Sequence, residues 1–290
     1  MQNSFFHLVH RIASNDVIRK PEEHETIIGI KMNFYTYLGL LFLIFIFFLN
    51  ILTLYCGYKY SKKLKLNQTV QKKSGMQIIE GSMFALLGLL LAFTFSSAIN
   101  KFDQRRALII DQANSIGTLY LRLDLLPIEK KEAIRKILKT YLDFHIKAYQ
   151  AIPDIPKAQY YLKKSHEYQT QVWNKTLSSC KQMDKSYSCL LLIPALNQVL
   201  DIENTRVQSM QMHPPIYIFV LLIFVDLVAT FFIGSHIHIL KEVSILHIAF
   251  YSLVISLIIF TIIDMEYPRL GFIRVDSFDQ VLINLKNSLN

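Results

Sequence analysis

Four stretches of this chain, residues 33–58, 76–99, 216–240 and 243–263, stay apolar for about the 20 residues that a helix needs to cross a bilayer. Hydrocarbon offers the backbone no hydrogen-bonding partner, so each run has to satisfy its own amides as a helix. The chain is therefore expected to be an all-α integral membrane protein with four transmembrane helices. Its composition agrees: 52% of the residues are apolar and 18% charged, too greasy for an ordinary soluble domain and too charged for a pure membrane bundle. The charge belongs to an extramembrane part, and the polar stretch 100–213 between the second and third runs supplies it.

The expected order is a polar N-terminal segment (1–32), a transmembrane pair (33–99), a helical insert (100–213), a second pair (214–263) and a C-terminal tail (264–290). In "SFFHLVHRIASND", Phe5, Leu8, Val9 and Ile12 recur at helical spacing among His7, His10 and Arg11. That pattern suits a helix lying in the membrane interface, with a disordered tail as the alternative. No small-residue cleavage site follows the first long apolar run, so the first span is expected to stay in the mature chain.

The second run, "MFALLGLLLAFTFSSAI", passes into the charged "NKFDQRRALIIDQANSIGTLYLRLDLLP" with no proline between them. Phe102, Ile109, Ile116 and Leu123 fall seven apart, and Ala113 and Tyr120 fill the turns between, so one apolar face continues beyond the membrane. A single helix is expected from Met76 to Leu126, with Pro127 as the first-turn proline of the next. Helices are then expected at about 128–152, 157–178 and 189–212, so that the insert is a bundle built on long extensions of helices two and three. "HPP" at 213–215 breaks the chain before it re-enters the bilayer.

Orientation follows from short loops. The loop 59–75 carries six lysines and no acid, which marks a cytoplasmic side and puts the insert outside, on the periplasmic face of a bacterial inner membrane. Lys101, Arg105 and Arg106, directly after the second span, weigh against this. Cys180 and Cys189, nine apart in the insert, form either a disulfide, as an oxidising compartment allows, or a pair of free thiols.

Few residues offer chemistry. Asp226 sits near the middle of the third run, where a carboxylate costs about 2.5–3.5 kcal/mol on insertion scales and so marks a functional site by default. Its bland alternative is a protonated acid bonded to Ser96, Ser97 or Asn50 of a neighbouring helix. Gly81, Ala85, Gly88, Ala92 and Ser96 form a small-residue seam along the second span, suited to close helix packing within or between subunits. Glu80 at its edge is either an entry charge or an acid offsetting the helix dipole. Asp226, Glu80, Arg105, Arg106, Ser96 and Asn100 are the pore or gating candidates. His236, His238 and His247 lie near the turn between the last two spans, but no cysteine or carboxylate completes a ligand set, so no metal site is expected. Nucleotide-binding, hydrolase and metalloprotease signatures are absent, and neither catalytic residues nor a cofactor are expected. The insert has 17 basic and 11 acidic residues; membrane attachment makes nucleic acid an improbable partner and anionic headgroups the default one.

Several stretches together resemble a bacterial family of bestrophin-like membrane proteins long described as a domain of unknown function. They are "FDQRR" with "DQANSIGTLYLRLDLLP", "LNQVLDIENTRVQSMQMHPP" and "IIDMEYPRLGFIRV". The likeness spans about residues 72–285. Arg122, Asn197, Arg206, Asp264 and Pro268 match as they stand, whereas Asp111 takes the place of a usual glutamate and Arg269 of a usual phenylalanine. The resemblance implies a fold related distantly to the pentameric bestrophin anion channels. It also implies an inward-facing insert, contrary to the lysine-rich loop, against which the external placement is kept. Asp111, Asn114, Arg122, Asn197, Arg206 and Asp264 make up its polar network. Arg206 is a candidate partner for Asp111, and Glu203 or Asp201 for Arg122 or Arg106. These are either ion pairs fixing helix register or a gating network.

Two functions are in view. One is a homo-oligomeric channel or transport protein in the lipid bilayer for small anions, with span two near the axis. The other is a non-conducting scaffold or sensor that carries a state of the insert into the membrane through rigid helices.

Overall fold

The computed structural model describes residues 34–63, 70–182, 187–240 and 245–289, all within one compact unit. The expected interfacial helix of Phe5, Leu8, Val9 and Ile12, and part of the lysine-rich loop, lie outside the described residues. Among those described, every regular element is helical: α1 (Phe34–Lys63), α2 (Val70–Arg122), α3 (Ile128–Gln150), α4 (Ile155–Lys181), α5 (Tyr187–Gln211), α6 (Ile216–Leu240), α7 (Ile245–Glu266) and α8 (Gln280–Ser288). Short 3-10 turns at Leu123–Leu125 and Asp276–Asp279 end α2 and lead into α8. Four helical stretches are long and apolar enough to cross a membrane: Phe34–Lys63, Ile78–Leu125, Tyr187–His236 and Leu246–Glu266. The third is interrupted at 212–215, where His213, Pro214 and Pro215 separate α5 from α6.

The α2 helix has 53 residues and so extends about 80 Å, more than twice the roughly 30 Å of bilayer hydrocarbon. Its apolar heptad explains the continuity. Ile109, Ala113, Ile116 and Leu123 are buried in the bundle, with Phe102 and Tyr120 packed on their margin. Around them close Ile134, Leu138 and Tyr141 of α3, Val172 of α4, Leu192, Leu196 and Val199 of α5, and Leu282 and Leu285 of α8. The helices α3 and α4 pack as one pair and α2 and α5 as another. Pro127 stands at the N-cap of α3, one position before the expected first turn, because its extended backbone lets its carbonyl accept from Lys131 N at 2.9 Å. Asp154 caps α4 by accepting from Lys157 N at 3.1 Å, with Pro156 in the first turn, and this starts the helix two residues earlier than its apolar period indicates.

In the membrane, α1 packs against α6 and α7, and α2 against the same two helices, so consecutive spans face the other pair rather than each other. The closest approach is at Gly57 and Gly234. A Cβ on Gly57 would overlap the Phe231 carbonyl, and one on Gly234 the Leu54 carbonyl. The α1 and α6 backbones therefore touch, and Ser235 Oγ donates to Gly57 O at 3.4 Å across the contact. The seam read from the sequence behaves differently: Gly81, Ala85, Gly88 and Ala92 are exposed, and a Cβ on Gly81 or Gly88 would meet nothing within 4 Å.

This contrast is testable. Gly234→Leu forces α1 and α6 apart and is expected to lower the thermal stability of the purified protein in detergent by well over the roughly 1–3 kcal/mol of ordinary overpacking. Gly88→Ala leaves the fold of the protomer unchanged, and equal losses from the two changes would refute the crossing.

Candidate functional site

The seam on α2 is the centre of a longer exposed strip. Gly81, Ala85, Gly88, Ala92 and Ser96 continue through Asn100, Asp103, Ala107, Asp111 and Asn114 at steps of three or four residues, and all are exposed in the protomer. Large exposed side chains border its membrane part, Phe84 and Phe95 on one side and Leu86, Leu89 and Phe93 on the other. From Ser96 onward the strip is largely polar, with Ser96, Asn100, Asp103, Asp111 and Asn114 sharing the exposed face.

At the membrane exit the two arginine candidates have different surroundings. Arg105 is 4% exposed and donates to the carbonyls of Ser209 and Met212 at 3.3 Å and of Met265 and Glu266 at 3.4 and 3.2 Å. These carbonyls end α5 and α7, where helices leave acceptors without intrahelical donors. One side chain of α2 thus clamps two helix ends. Glu266, buried beside it, has Lys101 at 3.5 Å, Arg105 at 3.8 Å and His213 Nδ1 at 3.7 Å. Arg106 pairs with Asp103 at 2.8 Å and lies over the Phe278 ring at 4.2 Å.

Inside the bundle the polar residues of the quoted motifs sort by face. Asp111, Asn114 and Asn197 are exposed, and Arg206 does not reach Asp111. Successive helical residues point about 100° apart, so it is Gln112 that turns inward, and its Oε1 accepts from Arg206 Nη1. Arg206 also donates to Asp279 Oδ1 at 3.0 Å and lies 4.0 Å over the Tyr149 ring. Arg269, the departure from the family pattern, meets the same carboxylate from the other side at 2.7 and 3.0 Å and lies 4.6 Å from the same ring. Glu203 accepts from Tyr141 Oη at 2.6 Å and from Gln169, not from Arg122 or Arg106, and Asp201 is exposed. Arg122 donates instead to the Leu191 carbonyl at 2.8 Å, close to where Pro194 lacks the N–H that α5 would use. Asp264 accepts from the amides of Phe272 and Ile273 at 3.0 and 2.7 Å, and a Cβ on Gly271 would overlap its carboxyl group, so that pair fixes the turn after α7.

His145 lies between these groups, fully buried, with Nε2 3.1 Å from Gln112 Oε1. Burial first, and then the Arg206 and Arg269 charges, hold its imidazole well below its ordinary range.

The remaining candidates separate. Asp226 is buried on α6 and faces Asn50 of α1, while Ser96 and Ser97 are exposed on α2. Glu80 is held by His236 Nδ1 at 3.0 Å, a span-to-span pair rather than an open entry charge. His247 is exposed on α7, and no group of three or more acidic, histidine or cysteine side chains suited to a metal occurs among the described residues. Cys180 and Cys189 are joined by a disulfide that ties the end of α4 to the start of α5, with their Cα atoms 5.8 Å apart. Gly57, Gly234, Gln112, Glu266 and Asp279 escaped the reading of the sequence. Glycines within two apolar helices, Gly57 as one of two in α1 and Gly234 as the single one in α6, were the available signal for the first pair.

Apolar spans, one of them prolonged into a bundle and clamped at the membrane exit, define a multi-pass membrane protein with its extramembrane domain raised on its own transmembrane helices. The Bestrophin-like domain matches residues 79–277, well over half of the chain, and the protein belongs to the bestrophin-like family. No curated protein matches it. Crystal structures of variants of a bacterial bestrophin homologue from Klebsiella pneumoniae share the fold. One superposes with a TM-score of 0.60 at 15% identity over 85% of this chain and 97% of the other. A second gives 0.60 at 14% identity over 87% and 97%, and a third 0.59 at 13% over 89% and 97%.

A pH dependence follows from His145. The unfolded imidazole takes up a proton below its ordinary value of 6.5, whereas the buried one stays neutral, so the stability it contributes is present above pH 6.5 and lost as the pH falls below it. Thermal unfolding of the purified protein is expected to show a loss of about 1.4 kcal/mol per pH unit below 6.5 from this residue, and His145→Gln is expected to remove that slope. An unchanged slope would show that His145 is not held neutral.

Proposed function

We propose that the protein assembles as a homo-oligomeric ion channel in which α2 surrounds the conduction path. The observation that carries this is the strip from Gly81 to Asn114, which no other helix among the described residues covers. A face of small residues in a bilayer packs better against a second copy than against lipid, and closed symmetry would place the same face of each copy around one axis. The strip turns polar from Ser96 outward, which suits a path that is narrow and apolar in the membrane and hydrated above it. Small anions are the class that the family resemblance implies, and Arg106, half-buried and paired with Asp103 of the strip, is a cation beside it. Arg105 and Asp226 serve this function indirectly, because both are buried within the protomer.

The insert is placed on the periplasmic side of a bacterial inner membrane. The Cys180–Cys189 bridge and the lysines of the loop 59–75 support that side.

Purified protein in liposomes is expected to pass chloride down a gradient. Ala92→Trp, which fills the strip without touching the protomer core, is expected to reduce the flux at least tenfold with the assembly unchanged on size exclusion. Absence of both chloride and potassium flux from the wild type would favour a non-conducting scaffold whose α2 rod joins the insert to the membrane.

A further inference from the structure

The polar cluster around Asp226 lies away from the α2 strip and has no part in the conduction path proposed above. Asp226 and Thr230 are one turn apart on α6 and both fully buried. Asn50 of α1 is fully buried against them, and Thr230 Oγ1 donates to its Oδ1 at 3.1 Å. Tyr251 of α7 lies beside both Asp226 and Thr230. Beyond the single Thr230–Asn50 bond these groups are near enough to exchange hydrogen bonds, yet both carboxyl oxygens of Asp226, the Asn50 amide nitrogen and the Tyr251 hydroxyl have no partner in good geometry. Buried polar atoms left in this condition at one point call for an occupant.

The occupant has to bring a single positive charge. No salt bridge reaches Asp226 among the described residues. From α1 the polar side chains near this level are Asn50 and Thr53, and Thr53 bonds to Leu49 O of its own helix. From α7 it is Tyr251, on a helix where Ser252 and Ser256 are also buried, and of the acids on α2 Glu80 is committed to His236, ten residues further along α6, while Asp103 and Asp111 lie past the membrane exit. A divalent ion is unsuited to one carboxylate, and an alkali ion would meet the N–H face of the Asn50 amide, which repels cations. A proton removes the charge and completes the hydrogen bonds together: the neutral acid accepts from Asn50 Nδ2 and donates to Tyr251 Oη or Thr230 Oγ1.

We propose that Asp226 is a proton-binding site in the membrane interior, closed by Asn50, Thr230 and Tyr251, and that losing the proton loosens the packing of α1, α6 and α7. Two turns further along α6, Gly234 holds the α1 and α6 backbones in contact, which closes that side of Asp226 to water until these helices separate. The site is a pH-sensing element of the membrane domain that requires no conduction.

The test uses the full-length protein in nanodiscs, with thermal unfolding followed from neutral to alkaline pH. The wild type is expected to lose stability as the pH rises, and Asp226→Asn, permanently neutral and of the same shape, to lack that loss. Infrared difference spectra between the two at neutral pH are expected to show a carboxylic-acid band that the variant lacks. If Asp226→Asn does not fold, Asp226→Glu replaces it, and the acid band shifts instead of vanishing. A carboxylate band at neutral pH overturns the proposal, as does an alkaline loss that Asp226→Asn retains. A loss that sodium, but not choline, prevents assigns the site to an alkali ion and overturns it as well.

Discussion

The structure depends on α2 being one unbroken helix through two media. In the bilayer its amides have no alternative to intrahelical bonding, and beyond the bilayer the heptad of Ile109, Ile116 and Leu123 gives it a core to lie against. The bend that many chains make at the membrane surface is made here by its neighbours: α5 and α6 are broken at Pro214 and Pro215, and α7 ends at Glu266. Arg105 joins the three, donating to carbonyls at both helix ends from the rod that passes between them. A guanidinium, with five donors spread in a fixed plane, reaches all four carbonyls, one more than the three donors of a lysine ammonium could serve singly.

The two halves are held by different means. The bundle uses charge: Arg206 and Arg269 share Asp279 and enclose Tyr149, fastening the tail helix α8 against α2 and α3. Buried ion pairs are poor sources of net stability but severe when half of one is removed, so such a network fixes which tail position is allowed. The membrane half uses shape, through the Gly57–Gly234 contact, and one concentrated polar cluster at Asp226. The α2 strip belongs to neither system, and this is what marks it as a surface for other copies.

Much of this was legible in the chain. Apolar run length gave the four spans, and the seven-residue period of Phe102, Ile109, Ile116 and Leu123 carried the helix past the membrane, because both signals are local and repetitive. Partners were less legible. Pairing Arg206 with Asp111 failed because adjacent residues on a helix face different ways, and only packing reveals that Gln112 is the inward one. Asp279 lies 73 residues from Arg206, and no local pattern links a tail acid to a bundle arginine. The small seam on α2 was visible, but what it packs against was not: the protomer's own close contact is made by Gly57 and Gly234, isolated in sequences too apolar to distinguish one face from another.

The central claim is that the uncovered strip of α2 faces the axis of an assembly. Single-particle electron microscopy of the protein in nanodiscs tests it most directly. The account predicts a closed ring of copies in which α2 is the innermost helix and Gly81, Ala85, Gly88, Ala92 and Ser96 face the axis. A monomer, or a ring with a different helix innermost and this strip turned to lipid, would contradict it.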